Sequence, residues 1–175
     1  MVKPEQQGSL DSLCGIYSII NAVCTLTGEE AQPIFEKIIF YLENKGHLST
    51  VLTSGTNINI MGSILKELNC DDVITRKMPF RGQKAVPLAQ FWESMQSHLS
   101  LNTKDKNRTS ILLCLGKTYD HWTIVSSISD KRIMLSDSAN LKFLNRTNCT
   151  TSEDHRIRRQ HILYPQYTYF FQTKD

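Results

Sequence analysis

Apolar positions along the chain change rhythm partway, from a helical spacing to a strand-like one. Residues 14–26, Cys-Gly-Ile-Tyr-Ser-Ile-Ile-Asn-Ala-Val-Cys-Thr-Leu, are almost continuously apolar, so a helix made from them must be buried on most sides. Its polar members, Cys14, Ser18, Asn21 and Thr25, fall on a single stripe. A second helix is expected over about 30–44, ending near Gly46. A third follows the cap residues Thr56 and Asn57 and runs to about Leu68. Pro87 opens a fourth, through about His98, with Phe91, Trp92 and Met95 as its apolar contacts. Residues 101–109 are polar and charged and read as an exposed loop.

Beyond that loop the period shortens. Residues 110–115 form a short apolar run, and 122–128 and 131–136 alternate as a hairpin around Ser129 and Asp130. Residues 164–172, aromatic and β-branched, read as a last strand. Helices followed by strands define an α+β protein. The expected division is one domain, with a helical lobe over about 1–105 and an antiparallel strand lobe over about 106–175. At 175 residues the chain can bury about two-thirds of its unfolded surface in a single core.

Composition narrows the class. The chain is 40% hydrophobic and 21% charged, as in ordinary soluble globular domains. Lys and Arg number 20 against 17 Asp and Glu, too small a margin for a dedicated nucleic-acid binder. The one basic cluster, His155, Arg156, Arg158, Arg159 and His161, reads as a solvated face. Residues 1–12 lack the basic-then-apolar order of a secretion signal, and no apolar run is long enough to span a membrane. A cytoplasmic location is expected, with export as an effector left open. Five widely spaced cysteines without zinc-type spacing read as reduced thiols, and no motif implies a metal or an organic cofactor. Glycosylation sequons at Asn107, Asn145 and Asn148 would matter only on a secreted chain.

Three residues carry candidate chemistry. Cys14 stands where the buried helix starts, facing unpaired N–H groups and the positive end of the helix dipole, both of which favour a thiolate. Gly15 beside it is expected to let a substrate approach closely. The plain alternative is a buried small hydrophobe, as expected of Cys24, Cys70 and Cys114. His121 opens a strand in Tyr119-Asp120-His121-Trp122 and can take the thiol proton and return it to a leaving group. His47, His98, His155 and His161 sit in polar sequence with no candidate partner. Asp137 depends on the hairpin: a three-residue loop sets it diagonally from His121 on the same face. A two-residue loop turns it away and favours Ser136 or Ser138. An amide side chain upstream, Gln7 or Gln6, can serve as an oxyanion donor beside the N–H groups at the helix start.

A Gln, a Cys-Gly opening a buried helix, a His-Trp on a strand and an Asp on the next strand together resemble the papain-like cysteine peptidase superfamily. The segment Gln7-Gly8-Ser9-Leu10-Asp11-Ser12-Leu13-Cys14-Gly15 is most similar to its compact bacterial branches, among them leader-peptide peptidase domains of bacteriocin exporters and papain-like effectors. The resemblance implies a cleft between a helical and a strand lobe. It carries Cys14 over as nucleophile, His121 as base, Asp137 as orienter and Gln7 as oxyanion donor. It departs from the family in the spacing of Gln7 and in having Gly15-Ile16 where an aromatic often follows the cysteine. The activity so implied is hydrolysis of a peptide or isopeptide bond in a protein or peptide substrate, through an acyl-thioenzyme. The same triad would also serve a glutamine deamidase, an acyltransferase or a transglutaminase-like enzyme, and a catalytically silent binding module is the non-enzymatic alternative. Cleft walls are expected from loops 46–56 and 78–87, with residues 50–59 read mainly as a capping loop.

Overall fold

A computed structural model describes residues 4–8, 12–68, 74–102, 108–117, 120–154 and 157–174. Five helices precede most of the strands: α1 (Cys14–Thr27), α2 (Ala31–Asn44), α3 (Leu48–Ser54), α4 (Ile58–Glu67) and α5 (Leu88–Ser100). The strands are β1 (Ile74–Lys77), β2 (Thr109–Lys117), β3 (His121–Ile128), β4 (Arg132–Ser136), β5 (Phe143–Asn145), β6 (Cys149–Thr150), β7 (His161–Leu163) and β8 (Tyr169–Thr173). They form one sheet in the order β1-β8-β2-β3-β4-β5, with β7 also on β2 and β6 on β7. Every pairing is antiparallel except β6 with β7. The chain is thus a mixed α and antiparallel β protein.

The sheet is buried on both faces. Leu112, Trp122 and Ile124 join the core formed by α1, α2 and α4, whereas Ile111, Leu113, Leu115 and Val125 meet Phe91, Trp92 and Met95 of α5. That alternation is the strand period expressed in burial. On α1, Ile16, Ile19 and Ile20 are essentially unexposed, each stabilising by about 1.5–3 kcal/mol. The helix stops where Gly28 turns left-handed, at φ 81°, and donates its N–H to the Cys24 carbonyl.

The polar stripe of α1 ties elements together. The Ser18 hydroxyl donates to the Trp122 carbonyl at 2.8 Å, inside the core. Asn21 grips the Glu5 backbone at both its N–H and its carbonyl, and Thr25 bonds back to the Asn21 carbonyl. Segment 4–8 is thereby pinned to α1 and, through Gln7 N–H to the Ser138 carbonyl, to the chain beyond β4.

Several expectations change. The loop expected over 46–56 contains α3, whose Ser, Thr and Val residues have poor intrinsic helicity. Tertiary contacts hold it: Val51 is fully buried and Ser12 N–H donates to the Leu52 carbonyl. Asn57 caps α4 as expected, accepting from the N–H groups of Asn59 and Ile60, while Pro87 is the cap of α5 and not its first helical residue. Of the loop expected over 101–109, Leu101 and Asn102 are exposed, 103–107 lie outside the described residues, and Thr109 is buried in β2. The last strand, expected over 164–172, runs instead from 169 to 173, and 165–167 form a 3₁₀ turn. In the basic cluster Arg158 and Arg159 are exposed, His161 is buried in β7, and 155–156 lie outside the described residues.

Gly15 answers to packing and not to substrate approach. A Cβ placed there would lie 2.7 Å from the Thr56 Cβ and 2.8 Å from its hydroxyl oxygen. Gly15→Ala should cost about 1–3 kcal/mol in urea unfolding with an unchanged denaturant slope, and Thr56→Ala should recover part of that loss in the double variant. Additive losses would show that the two residues do not compete for the same space.

Candidate active site

α1 and β3 each deliver one candidate side chain to the same cleft because they pack along one another, cross-linked at Ser18 and Trp122. Cys14 begins the helix, and no side chain among the described residues caps that end. His121 begins β3, one residue before Trp122. The indole of Trp122 donates to the Thr56 carbonyl at 2.7 Å, fixing the strand end against the chain that enters α4.

Asp137 reaches His121 by a route that neither hairpin alternative described. The turn is tight, with Ser129 N–H bonded to the Arg132 carbonyl, so Asp130 and Lys131 form a two-residue loop. That loop alone would turn Asp137 away. A bulge between Val125 and Ser127 inserts one extra residue in β3, after which Val125 faces Leu135 and Ile124 faces Ser136. One step further along the same register Thr123 faces Asp137, and Asp137 turns toward His121.

The His121 Nε2 and the Asp137 Oδ1 are 2.6 Å apart, with the imidazole 10% exposed and the carboxylate fully covered. The second carboxylate oxygen accepts from the N–H groups of Ala139 at 2.8 Å and Leu141 at 3.0 Å. Asn140, at φ 63°, turns the backbone left-handed so that both donors return to one acceptor. Asp137 is therefore held at both oxygens, and with Nε2 committed to it Nδ1 is the ring nitrogen of His121 left over; Cys14 lies near enough to the ring to raise its pKa.

Charge follows from these contacts. Burial alone would lower the His121 pKa, but the hydrogen bonds to Asp137 and to Cys14, and the charges of both, outweigh it and raise the value from 6.5 to about 9. Burial would likewise raise Asp137; the His121 bond, the Thr123 hydroxyl, the imidazolium charge and the Leu141 N–H together hold it below the usual carboxylate value. Burial pushes the thiols of Cys114 and Cys149 up to about 12 and raises Cys24. Cys24 and Cys149 are buried, whereas Cys114 is mostly buried but lines the cleft; Cys70 lies outside the described residues.

The two glutamines separate. Gln6 turns its amide to the carbonyls of Pro4 and Asp137, away from Cys14. Gln7 lines the cleft with Cys14, and its side-chain carbonyl accepts from the Ser138 hydroxyl at 3.1 Å, leaving the NH₂ end to point elsewhere. Ser138 thus positions the amide and does not orient His121. His98 is bonded to the Phe171 carbonyl and lowered in pKa by burial, and His161 is also lowered by burial, so neither occupies the polar setting its sequence suggested.

The cleft has a volume of about 800 Å³. Residues 53–58 form one wall, so the segment read mainly as a capping loop both caps α4 and lines the cleft. Tyr164, Tyr167 and Glu153 form part of the opposite wall and were not singled out from sequence. Their signal was Gly116, where any side chain would collide with the Tyr164 ring. Met78 and residues 81–84 line a separate hollow that adjoins the cleft. Among the described residues there is no cluster of side chains able to hold a metal ion and no helix long and apolar enough to cross a membrane. No protein-family model and no curated protein matches the chain.

The charge state has a thermodynamic signature. His121 has a folded pKa above its unfolded value, so its contribution is complete below pH 6.5 and is lost as pH rises through about 9. Asp137 is depressed, so its contribution is present above about pH 3.8 and is lost as pH falls below it. Asp137→Asn should therefore be less stable than wild type by about 2–4 kcal/mol between those limits. The gap should narrow on both sides when urea midpoints are followed against pH. A gap independent of pH would mean that the pair is not charged.

Proposed function

We propose that this chain is a papain-like thiol hydrolase that cleaves a peptide or isopeptide bond through an acyl-thioenzyme. The observation that carries the reading is the grouping of Cys14, His121 and Asp137: the ring is bonded to a doubly held buried carboxylate, and Cys14 shares its cleft and acts on its charge. In the proposed reaction the Cys14 sulfur, as thiolate beside the imidazolium, attacks the carbonyl carbon. The oxygen becomes an oxyanion that accepts from the Cys14 N–H and the Gln7 amide. Collapse breaks the C–N bond, and His121 gives its proton to the departing amine. Water then attacks the thioester while His121 takes a proton from it, and the carboxylic acid leaves with Cys14 restored. Asp137 keeps Nδ1 directed at sulfur throughout.

At neutral pH, iodoacetamide should alkylate Cys14 well ahead of Cys24, Cys114 and Cys149, whose thiols burial keeps protonated. His121→Ala should remove that advantage near neutrality and converge on wild type above about pH 9, where the ring has lost its proton. Residue-resolved mass spectrometry decides it: equal rates for all four thiols would overturn the reading.

Gln7 gives a second handle. Gln7→Ala should slow turnover of an acyl substrate by about 10²–10³-fold while leaving Cys14 alkylation intact, since alkylation forms no oxyanion. A parallel fall in both rates would mean that Gln7 acts on the fold and not on the transition state.

A further inference from the structure

The cleft continues at both ends. Beside Asp120 and His121 it meets a hollow of about 350 Å³ that includes Ala139, Asn140 and Leu141. Past Ile58 and Tyr167 it meets another, of about 510 Å³, whose rim carries Arg81, Gln83 and Lys84 and whose wall includes Tyr169. A cleft open at two ends suits a chain passing through it, and the proposed chemistry gives that chain a direction. His121 protonates the departing amine, so the leaving segment lies toward His121 and the hollow beside it. The acyl segment, attached to Cys14, extends the other way, past Ile58 and Tyr167.

The second hollow is positively charged and its cations are uncommitted. Arg81 and Lys84 are exposed, and neither is ion-paired among the described residues. Arg81 lines this hollow together with Tyr169 and acts electrostatically on its hydroxyl. The loop carrying Arg81 and Lys84 is held in place. Phe80 is buried edge-to-face on Phe91 at 5.5 Å, and Arg81 and Gln83 close successive turns onto Met78 and Phe80. Gly82, at φ 81°, supplies the left-handed step between them. Around Cys14 the sign reverses, with Asp120 and Glu153 on the cleft walls. An acidic substrate side chain is thus repelled next to the scissile bond and attracted further along the acyl side.

Resting on the thiol-hydrolase reading, we propose that the Arg81–Lys84 hollow is an acyl-side subsite that takes an aspartate or glutamate of a polypeptide substrate, N-terminal to the bond cleaved. The test uses the full chain with Cys14→Ala, which binds without turnover, and a positional-scanning library of fluorescent peptide amides read by anisotropy. One position should prefer Glu over Ala by about fivefold, the yield of exposed ion pairs to two cations, and the preference should fade at high salt. Arg81→Glu with Lys84→Glu, both surface changes, should shift that position's preference to Lys. No acidic preference, or one untouched by the double reversal, overturns the proposal. Sequencing the products of the wild-type chain fixes the direction, and an acidic preference located C-terminal to the cut also overturns it. Acidic peptides that bind but are never cut, with Cys14 inert to iodoacetamide, would support the subsite and count against the hydrolase reading instead.

Discussion

The hydrogen bond from Ser18 to the Trp122 carbonyl is the constraint on which the cleft depends. A helix apolar on nearly every side gains burial energy in many rotational settings, because hydrophobic packing alone is tolerant of shape. A buried hydroxyl is not tolerant, since leaving it or its carbonyl partner unpaired costs about 1–3 kcal/mol. Ser18 lies one turn from Cys14, and Trp122 is next to His121, so satisfying this one donor sets the distance between the two reactive side chains. Trp122 then binds the Thr56 carbonyl through its indole, and Thr56 fills the space left by Gly15. Helix, strand and cleft wall are closed into one ring of contacts, in which no element can slide without breaking a buried bond.

The carboxylate end of the site depends on a different constraint, one inserted residue. Strand periodicity turns a side chain to the opposite face for every single-residue slip, and the tight turn at Asp130 and Lys131 starts the hairpin in the wrong phase for Asp137. The bulge between Val125 and Ser127 corrects that phase halfway along β3. It leaves Val125 in the core and moves the two serines that flank the irregularity to the exposed face, so the correction disturbs no apolar packing.

How legible the molecule was in its sequence follows from the length and uniformity of each signal. α1, α2, α4 and α5 could be read because each repeats its apolar spacing over several turns or carries a cap such as Asn57. β2 could be read as a short apolar run, and β3 and β4 because alternation persists long enough to count. By contrast β1, β5, β6 and β7 span only two to four residues, too short for a period, and their existence depends on partners distant in the chain. α3 runs against its own propensity and rests on tertiary contacts, buried Val51 and the Ser12 bond to the Leu52 carbonyl. In the site, Cys14 and His121 were marked by position, at the start of a buried helix and of a strand. Asp137 was reached through a turn length that the structure does not have, and the register was nevertheless restored by a bulge that sequence cannot announce. The amide-positioning role of Ser138 and the tyrosine wall carried no local signal beyond the missing side chain at Gly116.

The pKa of His121 accounts for how one ring can serve both halves of the proposed reaction. At about 9 it is a cation at neutral pH, which suits an acid and is unhelpful in a base. Two of the influences that hold it there come from Cys14, a hydrogen bond and a charge. Acylation of the sulfur removes both, because a thioester bears no charge and is a poor acceptor, while burial continues to push the pKa down. Only Asp137 still opposes that push. The ring therefore becomes easier to deprotonate once it has given its proton to the departing amine, when water must be activated. Release of the acyl group frees the sulfur and with it restores the conditions that favour the imidazolium. In this reading Asp137 must be firmly charged, since it alone prevents burial from driving the pKa too low for the ring to accept a proton from water. The two backbone donors on its second oxygen and the left-handed Asn140 that brings them together meet that requirement.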